Sequence, residues 1–578
     1  MIGSGPELAV PRPDAPKARV LHARGDYRFT DRDLARIAAE RGNEAAWCEA
    51  FDRHGADAPA HVTGDFAVAV RGNDDRTYLA VDRFAVRTLC YRIAGDDVHC
   101  HERADALAGA AATHDAQALF NYLYFHVIPA PRTAFADVHR VPAGHCVRID
   151  RGGASTVRWW NPAFDEPREA SFDQMRDEFR ALLRSAVGRE LAGFPDAACF
   201  LSGGTDSSTV AGLVSELSGA PAHTYSIGFD AEGYDEMAYA RIAARHFGTR
   251  HHEYYVTPED LVTSIPAIAA ACDQPFGNSS IVPTYYCAKL AREDGRQRIL
   301  GGDGGDELFG GNSRYARQRM FDWYGNVPSL LRAALEPALA SRVATRLPIV
   351  RKAASYVEQA RVPMPDRTQM YNLVARLGLA DVLSAEFLAS VDTAEPLREL
   401  RECYGATAAG SLVNRMLAHD WRHTLAENDL PKVRNAAAVA GIGVGFPLLD
   451  DALVDFSMRL PPSWKLKRLT LRWFFKEALR GFLPDEILAK RKHGFGLPFG
   501  VWMSRHPQLQ ALAFDSLHSL GQRGIVRQSF MTKLIDEYLP RHPAYYGELV
   551  WIFMMLEQWL RRTPPRIAAK PRLVTTPP

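Results

Sequence analysis

The stretch "LSGGTDSST" at residues 201–209 follows directly on the apolar run "AACF" at 197–200. Two glycines allow a sharp turn and a close approach of the backbone to an anion, and a helix that begins after them points unpaired N–H groups at the same place. Asp206 would repel a bare phosphate, so its presence favours a divalent cation between the carboxylate and the phosphate. The stretch therefore predicts a strand, an anion-binding loop and a helix, with an ordinary Gly-Gly turn and a capped helix as the alternative.

A second stretch of the same kind, "GGDGGDELFGG" at 301–311, follows the apolar run "RIL" at 298–300. It places three acids among glycines, with little bulk around them. Because the carboxyl ends of neighbouring parallel strands lie at one edge of a sheet, Asp206 and Asp306 can share one Mg²⁺ there. A solvated acidic turn is the alternative interpretation of this stretch alone.

The segments around these loops predict an α/β protein with two domains. Short β-rich runs separated by Gly, Asn and Asp indicate an antiparallel sheet in the first part of the chain. After it, a helix begins at Phe172, and apolar runs then alternate with helical segments, which indicates a parallel sheet with crossover helices. We predict a first domain at 1–160, a linker at 161–171, a second domain at 172–562 with a helical elaboration at about 316–425, and a flexible tail at 563–578.

Composition limits the classes of partner and compartment. The 69 Lys and Arg residues nearly balance the 68 Asp and Glu residues, and the net charge of +1 argues against a nucleic-acid-binding surface. No stretch approaches the ~18 to 20 apolar residues of a membrane span, so we expect no membrane insertion. No two of the eight cysteines form a CxxC pair, so we expect reduced thiols in a cytoplasmic protein. The cysteines are Cys48, Cys90, Cys100, Cys146, Cys199, Cys272, Cys287 and Cys403.

The two loops belong to a longer series of motifs that resembles the asparagine synthetase family. In order along the chain these are "LSGGTDSS" (201–208), "YSIGFDAEGYDEMAYARIAARHFGTRHHE" (225–253), "GGDGGDELFGG" (301–311), "GFPLLDDALVDF" (445–456) and "KRKHGFGLPFGVWM" (490–503). The first domain is similar to the glutaminase-like half of that family in "VTGDFAVAV" (62–70), "LAVDRFAVRTLCYR" (79–92) and "HRVPAGH" (139–145).

The resemblance implies an Ntn-hydrolase-like first domain and an ATP-pyrophosphatase-like second domain. A carboxylate would be activated as an acyl-AMP with release of pyrophosphate, and an amine would then attack the acyl carbon. Mg²⁺ would be held by Asp206 and Asp306, the adenine would meet backbone groups near Ile227, and Lys492 would lie over the α-phosphate and the carbonyl. A solvated basic turn is the alternative for Lys492. The resemblance assigns the pyrophosphate to Leu201, Ser202, Gly203, Gly204, Asp206, Ser207, Ser208 and Gly302.

Two departures from the family bear on the substrate. A glutamine-using member has a cysteine immediately after the initiator Met, as nucleophile, but Ile2 stands there, and Cys48 lies in the helical-looking "AAWCEAF" and is assigned to the core. We therefore expect a degenerate first domain without glutamine hydrolysis. The stretch "LAENDLPKVRNAAAVAGIGVGFPLLD" at 425–450 lacks the acid and the Glu-x-Arg pair typical of aspartate-using members, which indicates a roomier or differently charged acceptor site.

These departures favour the branch of the family that includes the lasso-peptide macrolactam synthetases. Such an enzyme would adenylate an Asp or Glu side chain of a precursor peptide, join it to the peptide's α-amine, and work with leader-binding and protease maturation proteins. Asp303, Glu427 and Asp429 are the candidate bases, and each can instead be a structural acid. A β-lactam synthetase-like ligase is disfavoured because Asp303 stands where that type has a tyrosine. An ammonia-dependent asparagine synthetase and a degenerate ATP-binding regulatory protein are the further alternatives.

Overall fold

A computed structural model describes residues 18–73, 75–109, 112–325, 327–328, 330–332, 348–490 and 496–562. Ile2, Lys492 and the predicted tail at 563–578 lie outside the described residues. The chain divides into two compact units. The first unit takes the residues up to Gly109 and the segment Asp137–Asn161, and the second unit takes the intervening segment up to Ala136 and the residues from Pro162 onward.

The first unit is built on antiparallel sheets, as predicted. A five-stranded sheet has the order β1-β4-β5-β9-β10, a three-stranded sheet the order β7-β6-β8, and β2 pairs with β3. The strands are β1 (Arg19–Arg24), β2 (Tyr27–Phe29), β3 (Val62–Gly64), β4 (Ala67–Arg71), β5 (Thr77–Val81), β6 (Cys90–Ala94), β7 (Asp97–His101), β8 (His139–Arg140), β9 (His145–Asp150) and β10 (Gly153–Arg158). The helices are Arg32–Arg41, Asn43–His54 and Ala104–Leu107, with a 3₁₀ helix at Gly55–His61.

The central strands of this sheet are buried on both faces. Val68 and Val70 of β4 pack into a cluster with Trp47 of the helix Asn43–His54, and the alternate residues Ala67 and Ala69 pack into a second cluster on the opposite face. Because successive side chains of a strand point to opposite faces, this division accounts for the uninterrupted apolar run in the sequence.

The second unit contains a five-stranded sheet in which every pairing is parallel, as predicted. Its strands are β11 (Ala198–Phe200), β12 (His223–Phe229), β13 (Arg250–Val256), β14 (Arg298–Leu300) and β15 (Gly443–Gly445). The order β13-β12-β11-β14-β15 reverses direction between β11 and β14, where Cys199 is opposite Leu300. Ligands in such sheets bind at the carboxyl ends of the strands where the order reverses.

Helices surround this sheet and form most of the second unit. The predicted helix after the linker is present as Phe172–Gly193. The others are Ala116–Phe125, Thr205–Ser218, Met237–Phe247, Pro258–Ala271, Ile281–Glu293, Gly305–Phe309, Ser313–Gly325, Pro348–Arg361, Leu373–Leu377, Leu379–Val382, Ala385–Ala389, Glu395–Gly405, Leu412–Asp420, Leu430–Ala440, Asp451–Arg459, Pro462–Lys465, Trp473–Ala478, Asp485–Ala489, Phe499–Met503, Pro507–Gln522, Gln528–Lys533, Leu539–Arg541 and Pro543–Arg562.

Shorter elements complete the second unit. Two segments, Trp421–Asp429 and Leu534–Tyr538, are π-helical. Single 3₁₀ turns lie at Asp366–Gln369 and Pro447–Leu449, and β16 (Leu466–Lys467) pairs antiparallel with β17 (Thr470–Leu471). No helix in the described part of the chain combines the length and the apolarity that crossing a membrane requires.

Candidate active site

The loop after β11 is held in place by its own hydroxyl groups. The backbone N–H of Ser202 donates to Oγ of Ser207 over 3.1 Å, and the two Oγ atoms of these residues lie 3.0 Å apart. Gly203 has a φ of +65°, and a Cβ atom there would lie 2.4 Å from the backbone of Ala240, so only glycine fits. The helix Thr205–Ser218 then begins without a side-chain cap, which leaves its first N–H groups directed at the cavity.

The loop after β14 packs directly against the first loop. A Cβ atom at Gly302 would lie 2.7 Å from the backbone nitrogen of Ser207, and a Cβ atom at Gly305 would lie 2.4 Å from Oδ1 of Asp206. The glycines of the second loop therefore permit the approach of the carboxylates that the sequence predicted to share a cation. The backbone N–H of Gly301 donates to the carbonyl of Gly445 over 2.9 Å and fixes the start of this loop to β15.

The guanidinium group of Arg472 lies between the two carboxylates. Its Nη1 and Nη2 atoms lie 2.6 and 2.7 Å from the two carboxylate oxygens of Asp206, and it also contacts Asp306 and the hydroxyl of Thr205. The Arg472 side chain is only 5% exposed. The carboxylates of Asp206 and Asp306 thus face one position, which the positive charge of Arg472 occupies. Because carboxylate oxygens are the ligands that Mg²⁺ prefers, this pair fits a divalent cation.

A second charged cluster lies in the wall of the same cavity. The Lys432 amine lies 3.7 Å from Oδ1 of Asp303 and 3.4 Å from Oδ1 of Asp429. Burial raises the pKa of Asp303; Lys432 acts to lower this pKa, and the carboxylates of Asp429 and Asp206 act to raise it. Burial acts to lower the pKa of Lys432, but the carboxylates of Asp429 and Asp303 outweigh it and hold this pKa above its usual value.

The cavity has a volume of about 830 Å³, within the range of small-molecule sites. Its lining includes the apolar side chains of Ile227, Met237 and Pro283. Lys490 also belongs to the lining; its amine lies 3.2 Å from a carboxylate oxygen of Glu236 and donates to the carbonyl of Gly203 over 3.3 Å.

The structure brings most of the predicted site residues to this cavity. Those that line it are Leu201, Ser202, Gly204, Asp206, Ser207, Ile227, Gly302, Asp303, Asp306 and Asp429. Gly203 and the buried Ser208 support the first loop from behind the lining. Glu427 belongs to the π-helical segment but not to the lining, and Lys492 lies outside the described residues.

Sequence reasoning missed Arg472 and Lys432. Arg472 stands in "TLRWFF", where no local pattern suggests a site, and it reaches Asp206 from 266 residues away in the sequence. Arg472 stands directly before the helix Trp473–Ala478 with a positive φ of 53°, a conformation that is recognisable only in the structure. Lys432 follows the candidate base Asp429 by one helical turn, and that spacing was the available signal.

Comparison with known proteins places these loops in a family. The asparagine synthase family matches residues 178–561, which is more than half of the chain and contains both loops, Arg472 and Lys432. This chain belongs to the asparagine synthase family. A glutamine amidotransferase domain matches residues 44–160, in the part of the chain that holds most of the antiparallel sheets.

Relatives of known name agree with this membership in the asparagine synthase family. The chain is 24% identical over 507 residues to "Asparagine synthetase [glutamine-hydrolyzing] 1" of Bacillus subtilis, with 87% of this chain and 78% of that protein covered. It is 26% identical over 571 residues to a putative asparagine synthetase of Mycobacterium bovis, with 95% and 85% covered. It is 30% identical over 266 residues to the carboxyethyl-arginine beta-lactam-synthase of Streptomyces clavuligerus, with 45% and 49% covered.

The asparagine synthase family and these relatives together identify the chain as an ATP-dependent ligase that forms amide bonds. The predictions of fold class and of enzyme class are therefore confirmed. The carboxylate and the amine that the ligase joins are not given by family membership, because the named relatives act on different substrates.

Proposed function

We propose that this ligase closes a macrolactam in a precursor peptide. It would adenylate the side-chain carboxylate of an Asp or Glu residue in the peptide and join it to the peptide's own α-amine. The observation that carries the proposal is the charge of the cavity. Among the described residues, its lining contains six acidic side chains (Asp206, Glu236, Asp303, Asp306, Glu307 and Asp429) and four basic ones (Arg472, Lys432, Lys476 and Lys490).

This charge balance favours a peptide over a small amino acid. Three of the four cations are paired with carboxylates on the cavity wall: Arg472 with Asp206 and Asp306, Lys432 with Asp303 and Asp429, and Lys490 with Glu236. Free aspartate carries an α-carboxylate that would enter this acidic surface, where Lys476 is the one cation of the described lining that is not assigned to a carboxylate above. In a peptide that carboxyl group is part of an amide, so only the side-chain carboxylate, which reacts, brings negative charge.

In the proposed first step the substrate carboxylate attacks the α-phosphorus of ATP, and pyrophosphate leaves. The backbone N–H groups of Gly203, Gly204 and the first turn of the helix Thr205–Ser218 would bind the leaving pyrophosphate, with Ser202 and Ser207 adding hydroxyl donors. Asp206 and Asp306 would hold Mg²⁺, which supplies positive charge beside the phosphate oxygens. Lys492 would neutralise the oxygen that becomes negative on the acyl carbon, as the resemblance implies.

In the second step the α-amine attacks the acyl carbon, its proton passes to a base, and AMP leaves. We assign this role to Asp303 or Asp429, and the assignment is supported by their place in the cavity lining on either side of Lys432. Two carboxylates around one ammonium attract the protonated α-amine of the peptide. A carboxyl group whose pKa is raised, as burial raises that of Asp303, accepts a proton more readily near neutral pH.

Three of the four cysteines of the first unit, Cys48, Cys100 and Cys146, support an amine other than glutamine-derived ammonia. Burial raises the pKa of Cys48 and of Cys100, and it raises the pKa of Cys146 to about 12. These thiols stay protonated at neutral pH, whereas a glutaminase nucleophile acts as a thiolate. The amine would then be free ammonia or an amine of the substrate, and we propose the substrate's own amine.

The test is a comparison of three substrate sets with ATP and Mg²⁺. We expect a peptide with a free N-terminus and an internal Asp or Glu to release pyrophosphate and AMP and to lose one water. The same peptide with an acetylated N-terminus is the matched control, which should exchange pyrophosphate but not cyclise. AMP formation with aspartate and ammonium, and none with any peptide, would overturn the proposal.

Two other reactions of the family are favoured by particular relatives. The names of the Bacillus subtilis and Mycobacterium bovis proteins favour formation of asparagine, here with free ammonia. The Streptomyces clavuligerus protein favours closure of a small lactam by an internal amine. The aspartate arm of the same assay detects the first, and a β-amino acid arm detects the second.

A further inference from the structure

A cluster of three metal-ligating side chains lies in the second unit outside the cavity lining. Cys403 belongs to the helix Glu395–Gly405, His419 to the helix Leu412–Asp420, and His423 to the π-helical segment Trp421–Asp429. One ligand atom from each lies within 4.8 Å of the other two. Among the residues that the structure describes, this is the one place where three His, Cys, Asp or Glu side chains converge in this way.

The distances are close to those of a bound ion. In a tetrahedral zinc site with bonds of about 2.3 Å to sulfur and about 2.0 Å to nitrogen, neighbouring ligand atoms lie about 3.5 Å apart. Because each pair of ligand atoms already lies within 4.8 Å, contraction by at most about 1.3 Å, which changes of side-chain rotamer can supply, would form three corners of such a site. The four-residue spacing of His419 and His423 places both imidazoles on one side of the helical segment, and their ring centroids are 4.9 Å apart.

An independent observation also points to a ligand. His419 is only 6% exposed, and its Nδ1 atom is buried without a hydrogen-bond partner. A buried polar nitrogen is rarely left unpaired in a folded protein, because its desolvation is not compensated. A metal ion bound to the imidazole would account for the burial of this ring beside a second histidine and a thiol.

The charged groups nearby have mixed signs. The guanidinium groups of Arg314 and Arg422 and the carboxylate of Asp420 interact electrostatically with the two imidazoles. The thiolate of Cys403 would supply the negative charge that offsets the two arginines.

We infer that Cys403, His419 and His423 form a binding site for a borderline-soft divalent cation, with Zn²⁺ as the natural occupant. One thiolate and two imidazoles are a typical zinc set, and water would complete the tetrahedron. The ion would tie the helix Glu395–Gly405 to the start of the π-helical segment, whose last residue, Asp429, lines the cavity. The inference does not depend on which amide the enzyme forms.

The experiment uses the full chain, stripped of metal and titrated separately with Zn²⁺ and with Co²⁺. We expect one zinc per chain to remain after gel filtration. With Co²⁺ we expect the near-ultraviolet charge-transfer band of a cobalt–thiolate bond and the intense visible bands of tetrahedral cobalt. Cobalt bound by Asp206 and Asp306 would have oxygen ligands and no thiolate band, so the spectrum separates the two sites.

Matched variants assign the ligands. Cys403→Ser and His423→Asn should each lose the charge-transfer band or weaken it strongly. Cys48→Ser, at another half-buried cysteine, and His114→Asn, at another buried histidine with an unpaired Nδ1, should retain it. A wild-type protein that shows no thiolate band and retains no zinc would overturn the inference. So would a band that persists unchanged in both Cys403→Ser and His423→Asn.

Discussion

Replacement of Arg472 by methionine tests whether Asp206 and Asp306 form a cation site. Methionine keeps an unbranched stem of similar reach in a position where the side chain is 5% exposed, but it removes the guanidinium group that contacts both carboxylates. Without that group the two carboxylates face each other with no positive charge between them. A divalent cation can then enter a position that it must otherwise share with Arg472.

The size of the effect follows from the geometry. Since both carboxylates contact one guanidinium group, their charges lie about 5 Å apart, and at an effective dielectric constant of about 20 their repulsion is about 3 kcal/mol. A cation that binds between them relieves this repulsion, and about 3 kcal/mol corresponds to a change of roughly 100-fold in a binding constant. We therefore expect Mn²⁺ to bind between about 10- and 100-fold more tightly to Arg472→Met than to the wild type.

Titration with Mn²⁺, followed by electron paramagnetic resonance without nucleotide, measures this directly. Arg480→Met is the matched control, because Arg480 makes an exposed pair with Glu477, and its Mn²⁺ affinity should equal that of the wild type. Addition of Asp306→Asn to Arg472→Met should remove the gain. If folded Arg472→Met binds Mn²⁺ within twofold of the wild type, the two carboxylates do not form a shared cation site.

Three further predictions concern the base, the loops and the last helix. Asp303→Asn should keep pyrophosphate exchange but slow ligation by about 10²- to 10⁴-fold, and equal loss of both activities would contradict this role of Asp303. In the wild type, the ligation rate should fall as the pH is lowered, with an apparent pKa higher than that of an ordinary aspartate. Gly302→Ala should weaken ATP binding about 10-fold by calorimetry, whereas Gly188→Ala, which has open space, should not. Glu557→Ala should lower the free energy of unfolding measured in urea by about 3 to 5 kcal/mol, because Arg523 loses a fully buried partner. The control Asp515→Ala, at an exposed ion pair, should lower it by less than about 1 kcal/mol.

The sequence contained enough local information to predict the sheets. Strands of the parallel sheet such as "RIL" at 298–300 are short apolar runs that end in glycines, and each loop that follows them carries its own acids. The residues that give the loops after β11 and β14 their chemistry are therefore consecutive in the sequence. Their proximity followed from one rule about parallel sheets, because β11 and β14 are neighbours at the point where the strand order reverses.

The charged partners of those loops could not be predicted in the same way. Arg472 is 266 residues from Asp206, and Lys432 reaches Asp303 only after the intervening helices have folded around the sheet. Pairs of this kind depend on tertiary packing, and no periodicity in the sequence indicates them. The π-helical course of Trp421–Asp429 likewise depends on its surroundings, since the indole of Trp421 donates to the carbonyl of Glu307 over 2.9 Å.

The most direct test of the central claim follows the oxygen atoms of the substrate carboxylate. A peptide whose Asp or Glu side chain carries ¹⁸O in both carboxylate positions is incubated with the enzyme, ATP and Mg²⁺, and the products are weighed by mass spectrometry. Adenylation followed by attack of the internal amine predicts AMP with one ¹⁸O atom and a cyclic peptide that retains the other. Unlabelled AMP, or label in inorganic phosphate with ADP as the nucleotide product, would contradict the account.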